Sequence, residues 1–121
     1  MEFKIADRWI GDDHPTYFVA DIAANHDGDL NRAIELIRLA KEAGADAAKF
    51  QNFSAAKIVS DYGFKAMDGG QVSHQANWKK SVFEVYADAS VSLDWTPILK
   101  EACDKTGIAY FTSPYDEEVI D

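Results

Sequence analysis

Lys49 is the residue whose surroundings explain it least. It interrupts the run Ala47-Ala48-Lys49-Phe50-Gln51 and is followed by two amides, Gln51 and Asn52. A lysine inside an otherwise apolar strand has no packing reason to be there, and its desolvation cost is recovered when the ammonium holds a fixed anion. Two further apolar runs end in polar groups. Tyr17 to Ala24 contains Asp21 and leads into Asn25 and His26, and Ile108 to Ser113 ends on Thr112 and Ser113. In parallel α/β folds a ligand lies beyond the carboxyl ends of the strands, so binding chemistry belongs at these three ends.

Each of these residues also has a plainer reading. Lys49 can snorkel from a strand end, and Asp21 can cap the next loop or pair with Lys49. Amides at loop entries, Gln51 among them, often only satisfy backbone groups. His26 sits in a turn and reads as a loop or supporting histidine rather than a catalytic one, while His14 and His74 read as exposed loop residues. Cys103 lies on the apolar stripe of a helix without a histidine near it in sequence, which makes it a core thiol.

The elements that would position these residues follow from periodicity. Phe3-Lys4-Ile5 and Tyr17-Phe18-Val19 are short extended runs around a turn signal at Ile10-Gly11-Asp12-Asp13, and the first run is expected to form a hairpin within residues 1–16. Tyr17 to Ala24 is strand one, apolar on both faces as in a sheet buried on both sides. Asp29 is a plausible N-cap for a helix with the stripe Leu30, Ala33, Ile34, Ile37 and Ala40, and Gly44 stands where a C-cap glycine belongs. Ala45 to Gln51 is strand two. Asn52 to Ser92 shows no dominant period, apart from a short helix carrying Trp78, Val82, Val85, Tyr86 and Ala89; long insertions after a strand tend to be functional. A further helix starts near Asp94, accepts Pro97 in its first turn, buries Ile98, Leu99, Ala102 and Cys103, and stops at Gly107. Ile108 to Ser113 is strand three, and the acidic segment after Pro114 opens another helix. Strands alternating with helices define an α/β chain, and three strands amount to the N-terminal portion of a (β/α)8 TIM barrel, which takes roughly 250 residues. On this division residues 1–16 are the hairpin and residues 17–121 the first three βα units, the third incomplete.

The bulk numbers narrow the function classes. The 121 residues carry a net charge of -9, from 21 acidic and 12 basic side chains without a basic run, so nucleic acid is excluded as the expected partner. A small anion is not excluded, because it feels the cations at its own site more than the distant total. No apolar run is long enough for a membrane span, and the start Met1-Glu2-Phe3-Lys4 lacks a signal-type core, which makes the cytoplasm the expected compartment. A lone cysteine fits a reducing environment.

The order and spacing of three segments carry a family resemblance. Ala20-Asp21-Ile22-Ala23-Ala24-Asn25-His26-Asp27-Gly28, then Glu42-Ala43-Gly44-Ala45-Asp46-Ala47-Ala48-Lys49-Phe50-Gln51, then Phe111-Thr112-Ser113-Pro114-Tyr115-Asp116 resemble the opening of the N-acetylneuraminate (sialic acid) synthase family. Glu2-Phe3-Lys4-Ile5 and Ser81-Val82-Phe83-Glu84 also look like that family, so the resemblance covers essentially the whole chain. It implies a barrel enzyme that joins phosphoenolpyruvate to the open-chain aldehyde of N-acetylmannosamine or a related N-acylated amino sugar, releasing phosphate with the help of a divalent metal, manganese or magnesium. By the same resemblance Lys49, Ser81 and Ser113 hold the donor, and Gln51, Asn77 and Asp21 face the sugar. The metal ligands are expected outside this chain. The resemblance further implies a homo-oligomer, in which a C-terminal domain closes the partner's site.

The sequence departs from the family in two places. Asp21 stands where better-known members have a glutamate, followed at Ala23 by a residue usually glycine, and Thr112-Ser113-Pro114 replaces Ser-Thr-Pro while keeping a hydroxyl in the middle. Two alternatives stand beside the leading expectation: another phosphoenolpyruvate-dependent aldol-type sugar-acid synthase, and a non-catalytic sugar-binding module. A synthase for a phosphorylated sugar should cluster cations between Asn52 and Ser92, where Lys57, Lys65, Lys79 and Lys80 are scattered. With the metal ligands elsewhere, residues 1–121 alone are expected to be inactive.

Overall fold

The computed structural model describes residues 1–67 and 79–120. Asn77, His74 and Trp78, which the sequence singled out, lie outside the described residues.

β1 (Phe3–Ile5) and β2 (Arg8–Ile10) form an antiparallel hairpin with Phe3 opposite Ile10. Its turn is Ala6-Asp7, with Ala6 at φ 49°, which corrects the expected use of the Ile10 to Asp13 signal. A two-residue hairpin loop needs left-handed backbone whichever residue supplies it. The glycine signal makes a separate turn, where the His14 N–H donates to the Gly11 carbonyl at 3.1 Å. Arg8 fastens the hairpin to the body by an ion pair with Asp46, whose other oxygen accepts the Phe18 N–H at 2.8 Å.

The body is a three-stranded parallel sheet in the order β3 (Val19–Ala23), β4 (Ala47–Asn52), β5 (Ala109–Pro114). α1 (Leu30–Glu42) connects β3 to β4. Asp29 caps it as expected, its carboxylate accepting the N–H groups of Asn31 at 2.8 Å and Arg32 at 3.2 Å. Gly44, at φ 91°, reverses the chain after its last turn; a left-handed residue at that place costs glycine no Cβ strain. Ala33, Ile37 and Ala40 are buried from α1.

Between β4 and β5 the chain forms α2 (Ala55–Ile58), α3 (Asp61–Met67), α4 (Val82–Ala89) and α5 (Trp95–Thr106). α5 ends on Gly107 at φ 73° and buries Leu99 and Cys103 completely. Ile98, expected inside, is 41 % exposed. The inward stripe of α5 runs through Trp95, Leu99, Ala102 and Cys103, and Ile98 lies about 100° around the helix from Leu99, beside that stripe rather than on it. Among the described residues after Pro114, Glu117–Val119 forms a 3-10 turn capped by Asp116.

The core lies on one side of the sheet. Ile22, Ala48 and Phe50 from the strands meet Ala33, Ile37 and Ala40 from α1 and Leu99 and Cys103 from α5. Each fully buried large side chain there stabilises the fold by about 1.5–3 kcal/mol. The other side differs from the expectation that strand one is buried on both faces: Val19 is 42 % exposed and Asp21 is exposed.

Candidate functional site

Side chains alternate across a strand, and directly paired residues of parallel strands share a face. Asp21 is paired with Lys49, Lys49 with Phe111, and Gln51 with Ser113. Four of the sequence-derived site residues, Asp21, Lys49, Gln51 and Ser113, therefore stand together on the face opposite the helices, Asp21 and Lys49 in mid-strand and Gln51 and Ser113 toward the carboxyl ends of β4 and β5. The same face begins with Val19, Ala47 and Ala109. Its composition thus changes from apolar to polar along the strand direction.

The backbone helps to aim Asp21. The register of β3 on β4 slips between Asp21 and Ala23, and Ala23 sits at φ 49°. A bulge of this kind ends pairing and re-aims the chain. Beyond it the loop is tied down locally: the Asn25 side chain donates to the Ile22 carbonyl at 2.9 Å, and Arg32 Nε donates to the Asn25 carbonyl at 2.8 Å.

The Lys49 ammonium lies 3.8 Å from Asp21 Oδ2, with the two side chains 32 % and 56 % exposed. A pair this open to water contributes less than about 1 kcal/mol to stability. Asp21 is therefore a weak partner that an anionic ligand can replace. Gln51 and Ser113 are half-buried.

Ser81 is placed differently. It is the N-cap of α4, its hydroxyl accepting the Glu84 N–H at 3.2 Å while the Glu84 carboxylate accepts the Ser81 N–H at 2.8 Å. This capping box accounts for Ser81 without a ligand.

His26 is wholly buried. Its Nδ1 accepts the Gly28 N–H at 3.1 Å, its Nε2 has no hydrogen-bond partner among the described residues, and its ring meets Trp95 edge-on at 5.4 Å. Burial holds its pKa below the usual histidine value, opposed in part by Asp27. Cys103 is the core thiol expected, its pKa pushed up to about 11 chiefly by burial. Among the described residues no group of three or more His, Cys, Asp or Glu side chains is placed to hold a metal ion, and no helix is long and apolar enough to cross a membrane.

Sequence reasoning named Asn52 and Thr112 among the strand-end polar groups but missed that they stand behind the site, joined to Thr96. Asn52 is fully buried, and its amide bonds to Thr96 and Thr112 on the helix side of the sheet. A buried amide announces that partners exist, but nothing in the sequence says which. A cleft of about 690 Å³ also opens among Ala24, Gly28, Val85 and Ala89, with Lys80 and Asp88 on its wall. It contains none of the four strand-end residues, and Lys80 is already ion-paired with Asp88.

The chain is similar to known proteins along nearly its whole length. The model of the NeuB family matches residues 36–121. The human N-acetylneuraminate-9-phosphate synthase is 34 % identical over 114 residues, 94 % of this chain and 31 % of that enzyme. The spore coat polysaccharide biosynthesis protein SpsE of Bacillus subtilis is 32 % identical over 119 residues, 98 % of this chain and 30 % of that protein. Among solved structures, the N-acetylneuraminic acid synthetase of Leptospira borgpetersenii, in complex with citrate, superposes with a TM-score of 0.78 at 25 % identity over 99 % of this chain and 36 % of that one. The chain thus spans about a third of the length of the relatives it matches.

Proposed function

The chain belongs to the NeuB family, and from that premise we propose that it forms the opening strands of a sugar-acid synthase that condenses phosphoenolpyruvate with an N-acylated amino sugar. The observation that carries this reading is the open polar end of the sheet, where Lys49, Asp21, Gln51 and Ser113 share one face. In the reaction C3 of phosphoenolpyruvate attacks the aldehyde carbon of the open-chain sugar and forms the new C–C bond. A water oxygen adds to C2, the bond from C2 to the bridging oxygen breaks, and phosphate leaves; the former aldehyde oxygen takes up a proton. One water is consumed for each sugar acid formed.

Lys49 and Ser113 hold the anionic donor. The ammonium exchanges its exposed carboxylate neighbour for the ligand, and a charge-assisted contact of this kind is typically worth about 1.5–3 kcal/mol. Gln51, beside Ser113 across the strands, orients the sugar, and Asp21 approaches it with a reach one methylene shorter than glutamate. Such positioning converts an encounter of two reactants into a near-attack arrangement. Asn77 belongs to the sugar side and Ser81 to the donor side of the same reading, Ser81 through the hydroxyl proton that its capping role leaves free. A divalent metal, manganese or magnesium, would supply Lewis acidity at the aldehyde. As the family resemblance implies, its ligands are proposed to lie outside this chain. The assembled enzyme is proposed to be a cytoplasmic homo-oligomer.

The test is an assay of the purified chain with phosphoenolpyruvate, N-acetylmannosamine and manganese, beside a binding measurement for each substrate. The reading predicts donor binding that Lys49→Ala weakens, with no nine-carbon sugar acid above a no-protein control. Sustained product would contradict the need for groups outside the chain, and donor binding indifferent to Lys49 would contradict the site.

A further inference from the structure

We propose that Asn52 and Thr96 are positioning residues, which hold the strand ends so that the donor site on the opposite face keeps its spacing. The inference rests on the proposed function for what the site binds, but its geometry stands on its own observations. Asn52 is completely buried at the end of β4. Its Nδ2 donates to Thr96 Oγ1 in the first turn of α5 at 3.0 Å, and its Oδ1 accepts the hydroxyl of Thr112 on β5. Its backbone carbonyl accepts the Tyr115 N–H at 3.1 Å. The last residue of β4 thus bonds to the end of β5 and to the helix behind them.

The hydroxyl of Tyr110 is buried without a well-formed hydrogen bond among the described residues. It nevertheless lies near enough to Thr112 and Thr96 for their hydroxyls to lower its pKa against the larger effect of burial, which raises it. Trp95, the neighbour of Thr96, meets His26 edge-on in the loop after β3. The first turn of α5 therefore braces all three strand ends.

The link to the site is short and covalent. Gln51 precedes Asn52, and Ser113 follows Thr112, each on the opposite face and one planar peptide away. A hold on Asn52 and Thr112 fixes how far apart Gln51 and Ser113 stand, and Lys49 lies two residues back on the same strand. Complete burial rules out Asn52 as a ligand contact. A need for stability alone would be met as well by apolar groups of the same shape, since net hydrogen-bond contributions are small once both partners are replaced. What directional bonds add is one register, because a buried amide left unpaired is costly.

The experiment compares the chain with Thr96→Val, nearly isosteric but without the hydroxyl, and Thr96→Ser, which restores it. Amide spectra and phosphoenolpyruvate titrations are recorded for each folded protein. Expected are shifted or doubled Gln51 and Ser113 signals and at least fivefold weaker donor binding in Thr96→Val, with wild-type behaviour in Thr96→Ser. Thr112→Val removes the other hydrogen bond and should act likewise if Thr96→Val does not fold. Lower thermal stability with unchanged Gln51 and Ser113 signals and unchanged affinity would overturn the proposal, and so would the failure of both valine variants to fold. If the wild-type chain itself does not bind phosphoenolpyruvate, the functional reading fails, and the Gln51 and Ser113 signals alone decide the positioning role.

Discussion

The two faces of the same three strands obey different rules. On the helix side Ile22, Ala48 and Phe50 alternate into a core with Ile37 and Leu99, and burial accounts for each of them. On the other side Asp21, Lys49, Gln51 and Ser113 take the alternate positions, half-buried or exposed, with an ion pair too open to stabilise much. Because the backbone is shared, whatever distinguishes the faces lies in the side chains. One face is explained by folding, and for the polar end of the other we propose a ligand as the reason.

Leu99→Ala should produce the largest effect. Leu99 is fully buried against the sheet, and truncating such a leucine costs about 2–5 kcal/mol, depending on how far the cavity collapses. Urea unfolding followed by circular dichroism reads it. A loss below about 1 kcal/mol would mean that the helix-covered face is not the core that it looks.

Lys49→Ala should reverse that pattern. Stability should change by less than about 1 kcal/mol, because the Asp21 pair is half-exposed. Affinity for phosphoenolpyruvate should fall by about tenfold or more, from the loss of roughly 1.5–3 kcal/mol. Asp21→Asn should weaken sugar binding more than donor binding, and calorimetric titration of each substrate into each variant separates the two.

Ser81→Ala tests whether a residue away from the strand ends follows the folding rule or the binding rule. Loss of an N-cap costs about 0.5–2 kcal/mol, and hydrogen exchange should show it as weaker protection within Val82–Ala89. Donor affinity changed more than that protection would return Ser81 to the site on more than resemblance.

The smallest effect concerns pH. Burial lowers the pKa of His26 in the folded chain below the ordinary histidine value of 6.5, so the unfolded state takes up the proton first. The stability that depends on neutral His26 is complete above that value and is lost as pH falls through the folded pKa. His26→Phe should flatten this part of the stability profile, measured by denaturant unfolding from neutral to mildly acid pH. An unchanged slope would remove His26 as its source.

Where one residue signals one structure, the sequence was readable. Asp29 and Gly44 bracket α1 as capping chemistry requires, and Lys49, Gln51 and Ser113 stand out as polar groups at apolar strand ends. It was less readable where the partner is remote or the element short. Asn52 bonds to Thr96 44 positions away and to Thr112 60 positions away, and no local pattern carries that information. α2 has four residues and α3 seven, two turns at most, too few for a helical period to show. The hairpin turn fell on Ala6-Asp7, which lacks the glycine that sequence rules look for. Ile98 was misplaced by one position on the wheel of α5, where a neighbouring apolar residue need not share the buried stripe.

The central claim is that the open end of the sheet is the donor's half of the active site. Titrating the isotopically labelled chain with phosphoenolpyruvate while following backbone amides tests it most directly. The account predicts that Asp21, Lys49, Gln51 and Ser113 shift together along one saturable curve that Lys49→Ala abolishes, while Ile37 and Leu99 stay in place. Shifts centred instead on the cleft beside Gly28 and Asp88, or no saturable shift at any strand end, would contradict it.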